Sequence, residues 1–234
     1  AFLDEQLTKR YFLTSANSIN IARLIPQSFY YFHAYAQRIY RQKPVVFSVP
    51  SGNFGNLTGG LIAMRMGLPV KQFVAATNIN DVVPEYFRTG EMVPKPSKHT
   101  MSNAMDVGNP SNMERLRALH PDFEELQGQI GASSVDDIEI RGTLRRDSHE
   151  LGRIWCPHTA TAAKVYRRML SRGARGHWVI VSTAHPAKFN DIVEPQTGQE
   201  VPVPPALAKL LSLPRQETEL EPTLQALRTH LQHS

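Results

Sequence analysis

The sequence has little cysteine and no long apolar run. Cys156 is the only cysteine among 234 residues, so no disulfide can form within the chain, and this fits a reducing cytoplasm. Cys156 precedes Pro157 and His158. We interpret it as structural, because catalytic Cys–His pairs meet in space and not as sequence neighbours. No run of about 18 apolar residues occurs, so we expect no membrane-spanning helix and no membrane partner.

The sequence also lacks a strong charge imbalance, CxxC pairs and internal repeats. Its net charge is +5 and the basic residues are scattered, which favours a solvated basic surface over nucleic-acid binding. The nine histidines are dispersed without metal-ligand spacing, so we expect no metal site. Because 41% of the residues are apolar, the chain can bury a core and is not of the disordered type.

The most informative motif present is residues 51–56, SGNFGN, directly after the apolar run 45–49. A buried strand that leads through a glycine-rich turn into a helix, predicted here over 57–66, is a common phosphate-binding arrangement. Glycine permits positive φ and close approach of the backbone, and the amides at the helix start attract an anion. The motif has neither the P-loop lysine nor the GxGxxG spacing, so ATP and NAD are disfavoured. It therefore predicts a different phosphorylated ligand.

The elements around this motif indicate an α/β fold. A second strand over 70–77 completes a strand–helix–strand unit, which implies a parallel sheet with a right-handed crossover. A third buried strand is predicted over 177–182 and an edge strand over 136–140. Residues 92–112 are expected to be irregular. In parallel sheets ligands bind at the carboxyl ends of the strands, where residues 51–56 lie.

Helices are predicted from apolar periodicity and capping residues. Asn17 or Ser18 can cap a helix that extends to about residue 41, and Pro26 is expected to kink or split it. Further helices are predicted over 159–172 and 223–232.

Two other polar segments accompany the loop at 51–56. Small polar residues at 14–20 lie at a helix start, where such residues usually act as caps. After the strand at 177–182, Thr183 can cap a helix or donate to a ring nitrogen. His185 and Lys188 can belong to a plain loop or bind an anion.

Taken together, these segments resemble the threonine synthase family, pyridoxal-phosphate enzymes of the tryptophan-synthase-β-like fold. The resemblance follows family order to about residue 194 and is carried by SANSIN at 15–20, VPSGNFGNLT at 49–58, AATNIND at 75–81, SNAMD at 102–106, PHTA at 157–160 and TAHPAKF at 183–189.

The resemblance implies a three-layer parallel-sheet domain of fold type II and a lyase of threonine biosynthesis. Its reaction converts O-phosphohomoserine and water into threonine and phosphate, with pyridoxal 5′-phosphate as electron sink. By carry-over, the amides and side chains of Gly52, Asn53, Phe54, Gly55 and Asn56 hold the cofactor phosphate.

The same resemblance also assigns residues to the pyridine ring of the cofactor and to the substrate. Thr183 would hydrogen-bond the pyridine nitrogen, and as a neutral partner would leave it largely unprotonated. Asn17, Ser18, His185 and Lys188 are candidates for the substrate side.

One expected residue is missing. Pyridoxal enzymes attach the cofactor to a lysine, and in this family that lysine lies in a Phe-Lys-Asp segment upstream of the motif at 15–20. The chain contains no Phe-Lys-Asp. We therefore expect a C-terminal fragment, inactive alone, that relies on a missing N-terminal part and exposes apolar surface that favours self-association.

The fragment hypothesis gives three segments and leaves two alternatives. Residues 1–42 would be a helical lead-in, 43–194 the cofactor-binding α/β domain with an irregular insertion at 92–157, and 195–234 a helical tail. The alternatives are a phospholyase that releases a keto acid from O-phosphohomoserine or O-phosphothreonine, and a non-catalytic anion-binding module.

Overall fold

The computed structural model describes residues 1–38, 42–214 and 217–233, which form two compact units. One unit comprises Ala1–Ala16 and the described part of Val203–Ser234, and the other is Asn17–Pro202. The division into three segments at residues 42 and 194 stays a prediction.

The described residues contain helices and strands in an alternating order. The helices are α1 Glu5–Arg10, α2 Ile21–Ala36, α3 Gly55–Arg65, α4 Val82–Thr89, α5 Met113–Leu119, α6 Phe123–Gln129, α7 Asp137–Leu151, α8 Pro157–Ser171, α9 Asn190–Thr197, α10 Pro205–Leu211 and α11 Leu224–His233. The strands are β1 Val45–Pro50, β2 Val70–Thr77, β3 Ile130–Ser134 and β4 His177–Ile180. Short 3-10 helices occur at Asn103–Met105 and Pro186–Phe189.

The four strands form one parallel sheet in the order β3-β2-β1-β4. Val49 pairs with Ala75 of β2, and Ser48 pairs with Ile180 of β4. The strand β1 is buried along its whole length, as expected for a strand covered on both faces. The predicted parallel α/β architecture is confirmed.

Helices cover both faces of this sheet. Side chains alternate along a strand, so Phe47 and Phe73 join a core cluster with α2 and α3 on one face. Val46 and Val74 join a second cluster with α7 and α8 on the other face. The Phe47 and Phe73 rings stack with their centroids 5.7 Å apart, and the Tyr31 ring of α2 meets the edge of this pair. The result is the expected three-layer domain.

The prediction of an edge strand at 136–140 is wrong. Asp136 caps α7: its side chain accepts a hydrogen bond from the Glu139 N–H at 2.8 Å, and the Glu139 carboxylate accepts one from the Asp136 N–H. This reciprocal capping box stabilises a helix start at the place where we predicted a strand. The edge strand in this part of the chain is instead β3, which pairs with β2.

The helix after residue 20 also differs from its prediction. Its cap is Asn20, whose side chain accepts a hydrogen bond from the Ala22 N–H at 3.0 Å, and not Asn17 or Ser18. Pro26 lies inside the helix without splitting it. Proline removes one backbone hydrogen bond there, while burial of Leu24 and Tyr31 holds the helix on the core. The helix ends at Ala36, and residues 39–41 lie outside the described part of the chain.

The predicted irregular segment is held by a buried polar network. Asn78, fully buried after β2, donates from Nδ2 to Asp106 Oδ1 at 2.7 Å and to Thr100 Oγ1 at 2.9 Å. Asp106 also accepts from the Thr100 hydroxyl at 2.7 Å and from the Thr100 N–H at 3.0 Å. Asn80 joins through the Lys98 carbonyl. The network therefore fixes residues 98–106 against the end of β2.

The unit formed by the two chain ends has its own polar anchor. Asp4 caps α1 through the Gln6 and Leu7 N–H groups, and its other carboxylate oxygen accepts hydrogen bonds from Arg228 of α11. The helix predicted over 223–232 is confirmed as α11. No helix among the described residues is long and apolar enough to cross a membrane.

We predict that Gly142→Ala stabilises the protein by about 0.5–1 kcal/mol. Gly142 is exposed within α7, and an added Cβ would meet no atom within 4 Å, so alanine lowers the entropy of the unfolded chain at no steric cost. Gly67→Ala is the matched control. It has equal space but a φ of +100°, so it should destabilise. Urea denaturation of both variants checks this, and a destabilised Gly142→Ala would contradict it.

Candidate cofactor site

The carboxyl ends of β1 and β4 lie side by side and border a cavity of about 320 Å³. The cavity wall combines the loop after β1, the segment after β4, the start of α8 and parts of α2. Its lining comprises Ser18, Arg23, Gln27, Pro50, Gly52, Asn53, Phe54, Gly55, Asn56, Ala104, Met105, His158, Thr183, Ala184, Lys188 and Phe189. The two segments that sequence motifs singled out, 51–56 and 183–189, thus meet at one site.

The loop between β1 and α3 has a strained and tightly packed backbone. Phe54, the residue before α3, has a φ of 62°, which is rare for a residue other than glycine. Its ring is buried in the core, and this burial holds the backbone in place. Gly52 lies against another chain segment, because an added Cβ would come 2.5 Å from the Met105 Cα atom. The loop shape therefore depends on glycine at this position.

This shape leaves a run of backbone donors available. Within the described residues, the N–H groups of Gly52, Asn53, Phe54, Gly55 and Asn56 have no hydrogen-bond acceptor. Gly55 and Asn56 also form the first turn of α3, whose helix dipole favours negative charge. Unpaired amides grouped at a helix start fit a phosphate group well.

The asparagine side chains of the loop hydrogen-bond to other groups of the protein. Asn53 donates to Ser18 Oγ at 2.6 Å and accepts from the Ser111 N–H at 2.7 Å. Asn56 donates to the Pro50 carbonyl at 2.7 Å and accepts from the Leu57 N–H at 2.9 Å. Both side chains therefore shape the loop, and the backbone amides are the groups left for an anion.

The segment before α2 contributes Ser18 to the site. Ser18 Oγ accepts hydrogen bonds from Asn53 and from Asn112 Nδ2, the latter at 3.1 Å, and lines the cavity. Asn17 is exposed and is not part of the lining. Its side chain accepts from the Ile19 N–H at 3.2 Å, which is a turn-forming contact.

Thr183 lines the cavity beside the start of α8. Its N–H donates to Thr159 Oγ1 at 3.2 Å, and its hydroxyl oxygen lies 3.7 Å from the Cys156 sulfur and 3.5 Å from Thr159 Oγ1. Cys156 caps α8 by accepting from the Thr159 N–H. The cysteine thus has the structural role that we expected, and it also contacts a cavity residue.

The Cys156 thiol has a perturbed acidity. Burial raises its pKa, but hydrogen bonding with Thr159 and Thr183 and the nearby His158 outweigh burial and lower the pKa to about 6. Its place at the start of α8 acts in the same direction.

Lys188 and His185 occupy different places. Lys188 lines the cavity, where its ammonium group together with Arg23 supplies positive charge for an anion. His185 is exposed and caps the 3-10 helix at Pro186–Phe189, where its Nδ1 accepts from the Ala187 N–H at 3.2 Å.

Several lining residues are absent from the site predicted from sequence, notably His158, Met105 and Arg23. From the sequence, residues 102–106 and 157–160 were used only as motifs that carry the family resemblance, and no binding role was predicted for them. His158 is buried, and its Nε2 accepts from the Ala104 N–H at 3.2 Å, which joins two of these motifs. The resemblance that both motifs carry is the signal that could have placed them at the site. No sequence signal points to Arg23.

The known proteins that this chain resembles are threonine synthases. A family model described as "Threonine synthase, C-terminal" matches residues 159–231. The threonine synthases of Serratia marcescens and of Escherichia coli K12 are each 44% identical to the chain, over 99% and 97% of it and 53% of their own length. The chain spans about half the length of the curated relatives it matches.

Solved structures agree with this result. Threonine synthase from Escherichia coli superposes with a TM-score of 0.88 at 41% identity, over all of this chain and 54% of its own. Threonine synthase from Brucella melitensis, solved with pyridoxal phosphate bound, gives 0.86 at 30% identity over 99% and 55%. Maize serine racemase, 13% identical with a TM-score of 0.54, shares the fold alone.

The fold is therefore that of the fold type II pyridoxal-phosphate enzymes, with the candidate site at the carboxyl edge of its parallel sheet. Within that class, the chain is similar to threonine synthases over nearly its whole length, and its residues 159–231 match the C-terminal model of that family.

Proposed function

We propose that this chain is the cofactor-holding C-terminal part of a cytoplasmic threonine synthase, which converts O-phosphohomoserine and water into threonine and phosphate. The observation that carries the proposal is the single cavity at which the glycine-rich loop, Thr183 and Lys188 come together. A phosphate-sized group of amides, a hydroxyl for a ring nitrogen and a cation are the features that a phosphorylated pyridine requires.

The chain's own residues would bind and orient the cofactor. The amides of residues 52–56 hold the phosphate, because within the described structure they have no other acceptor. Thr183, Lys188 and Arg23 line the same cavity. Thr183 would hydrogen-bond the ring nitrogen, and Lys188 and Arg23 would attract the phosphate of the substrate. When bound, pyridoxal phosphate supplies the electron sink for elimination and replacement at the substrate carbons.

We further propose that the remaining half of the relatives' length supplies the covalent lysine and covers the apolar surface of this chain. Ile21, Ile25 and Phe29 lie four residues apart on α2 and are 46–57% exposed, so they form an apolar stripe on one helix face. In the described sheet, β4 pairs on one side only, which leaves an open edge. Both features fit burial against further chain better than exposure to water.

The test is a reconstitution. The chain alone should release no threonine from O-phosphohomoserine, since none of its eight lysines has the Phe-Lys-Asp context. Joined to the N-terminal half of the Serratia marcescens threonine synthase, it should form threonine and phosphate in equal amounts. A hybrid in which Lys188 is changed to Ala, with the loop intact, controls for the anion site.

The alternatives give distinct outcomes in the same assay. A keto acid as the product would identify the phospholyase. Threonine formed by the chain alone would refute the fragment hypothesis. A folded hybrid that binds phosphate without any turnover would favour the anion-binding module.

A further inference from the structure

Asn112, the residue before α5, is fully buried and holds the loop after β1. Its Nδ2 donates to the Asn53 carbonyl oxygen at 2.9 Å and to Ser18 Oγ at 3.1 Å. An amide nitrogen carries two hydrogens, so both of them have acceptors here. These two bonds join the loop to the segment before α2, and they require that the nitrogen of the Asn112 amide faces the loop.

Arg115, three residues further along α5, fixes which way this amide faces. Its Nη1 donates to Asn112 Oδ1 at 2.7 Å. A guanidinium group has donors and no acceptor, so it can pair only with the oxygen of the amide. Its other arm, Nη2, donates to the Ile19 carbonyl oxygen, which holds the guanidinium against the segment before α2. The amide nitrogen is therefore left to face Asn53 and Ser18.

The carbonyl that Asn112 holds belongs to the strained peptide of the loop. In a planar trans peptide the C=O and the following N–H point in opposite directions, so the Phe54 N–H is turned away from Asn112. It is one of the amides that have no acceptor within the described residues. Turning this peptide plane over would bring the φ of Phe54 from 62° to a negative value that costs less. The hydrogen bond from Asn112 opposes that rotation.

We propose that Arg115 is a positioning residue for the loop after β1. Through the Asn112 amide, it holds the peptide between Asn53 and Phe54 in the orientation that presents the Phe54 N–H to a phosphate group. The inference rests on the proposed function, which places the cofactor phosphate at this loop. Neither Arg115 nor Asn112 is among the residues that line the cavity, so both act on the anion through the loop and not by touching it.

The first experiment is titration calorimetry of the whole chain with inorganic phosphate. Arg115→Lys keeps the positive charge, but one ammonium group cannot replace both arms of the guanidinium on Asn112 and Ile19. It should weaken phosphate binding about tenfold, the effect of losing one hydrogen bond to a charged group. Arg117→Lys is the matched control, because Arg117 is exposed on the same helix, and it should bind phosphate like the unchanged chain.

A double-mutant cycle shows whether Arg115 acts through Asn112. Asn112→Leu removes the hydrogen bond to the Asn53 carbonyl and should also weaken phosphate binding about tenfold. If Arg115 acts through this amide, adding Arg115→Lys to Asn112→Leu should cause no further loss of affinity. Two independent losses that multiply to about 100-fold would contradict the inference.

A third measurement needs no ligand. The side-chain amide hydrogens of Asn112 are buried and both are bonded, so they should exchange slowly with water, and nuclear magnetic resonance follows this exchange. In Arg115→Lys the amide loses the partner that fixes its orientation, and its hydrogens should exchange about tenfold faster or more. Arg117→Lys should leave the exchange rate unchanged.

The outcomes separate the two proposals. An unchanged chain that binds no inorganic phosphate contradicts the proposed function. Equal phosphate affinity in the unchanged chain and Arg115→Lys refutes the positioning role alone. Equal exchange rates of the Asn112 side-chain amide in these two proteins also refute the positioning role, whether or not phosphate binds. A loss of thermal stability in Arg115→Lys with unchanged phosphate affinity assigns Arg115 to the fold only.

Discussion

Replacing Gly52 by alanine should weaken phosphate binding about 100-fold. An added Cβ would lie 2.5 Å from the Met105 Cα atom and 3.2 Å from the Ala104 carbonyl oxygen. Both are backbone atoms of a segment that the Asn78–Asp106 network holds in place, so the loop after β1 must move instead. Loss of two hydrogen bonds to a charged phosphate, each worth about 1.5 kcal/mol, gives an effect of this size.

Titration calorimetry with inorganic phosphate measures this effect. Gly131→Ala in β3 is the control, because its added Cβ meets only side-chain atoms at ordinary contact distance and lies outside the cavity lining. Circular dichroism checks that both variants fold. If Gly52→Ala binds phosphate as tightly as the unchanged chain, the anion is not held by this loop.

Much of the fold and half of the site follow from local sequence. The continuous apolar run of β1 and the glycines after it have few alternative structures, so they predict a parallel sheet with an anion loop at its edge. Thr183 could be placed at a strand end because it directly follows the strand predicted over 177–182, which in the structure is β4 and ends at Ile180. Strands and their exits are determined by nearby residues, which a single sequence displays.

The remaining parts depend on contacts between distant segments. The edge strand β3 carries Gly131, Ser133 and Ser134, and it became a strand by pairing with the buried β2. Met105 reaches the cavity because residues far away in the chain fix its segment. The Asn53 side chain is held by hydrogen bonds to Ser18 and Ser111, which lie 35 and 58 residues away in the sequence. None of these partners has a local signal.

Asp106→Ala should destabilise the protein by about 3 kcal/mol and also weaken binding at the cavity. The carboxylate accepts hydrogen bonds from Asn78, Asn80 and Thr100, and Asn78 is fully buried. Within the described residues, removing it leaves the Thr100 N–H without an acceptor and takes one of several acceptors from the Asn78 and Asn80 amides. A donor left unsatisfied in this way costs about 1–3 kcal/mol. Because Asp106 adjoins Met105, a loosened segment would also change the wall behind Gly52.

Urea denaturation and phosphate calorimetry on the same samples test both parts of this prediction. Asp191→Ala is the control, since Asp191 is exposed in α9, and its loss should change stability by less than about 0.5 kcal/mol. Asp106→Asn keeps one acceptor oxygen but sets an amide donor against a neighbouring donor, so it should fall between the two. If Asp106→Ala lowers stability while phosphate affinity stays unchanged, the network supports the fold without shaping the site, and the loop after β1 holds its conformation through Asn53, Asn56 and Phe54 alone.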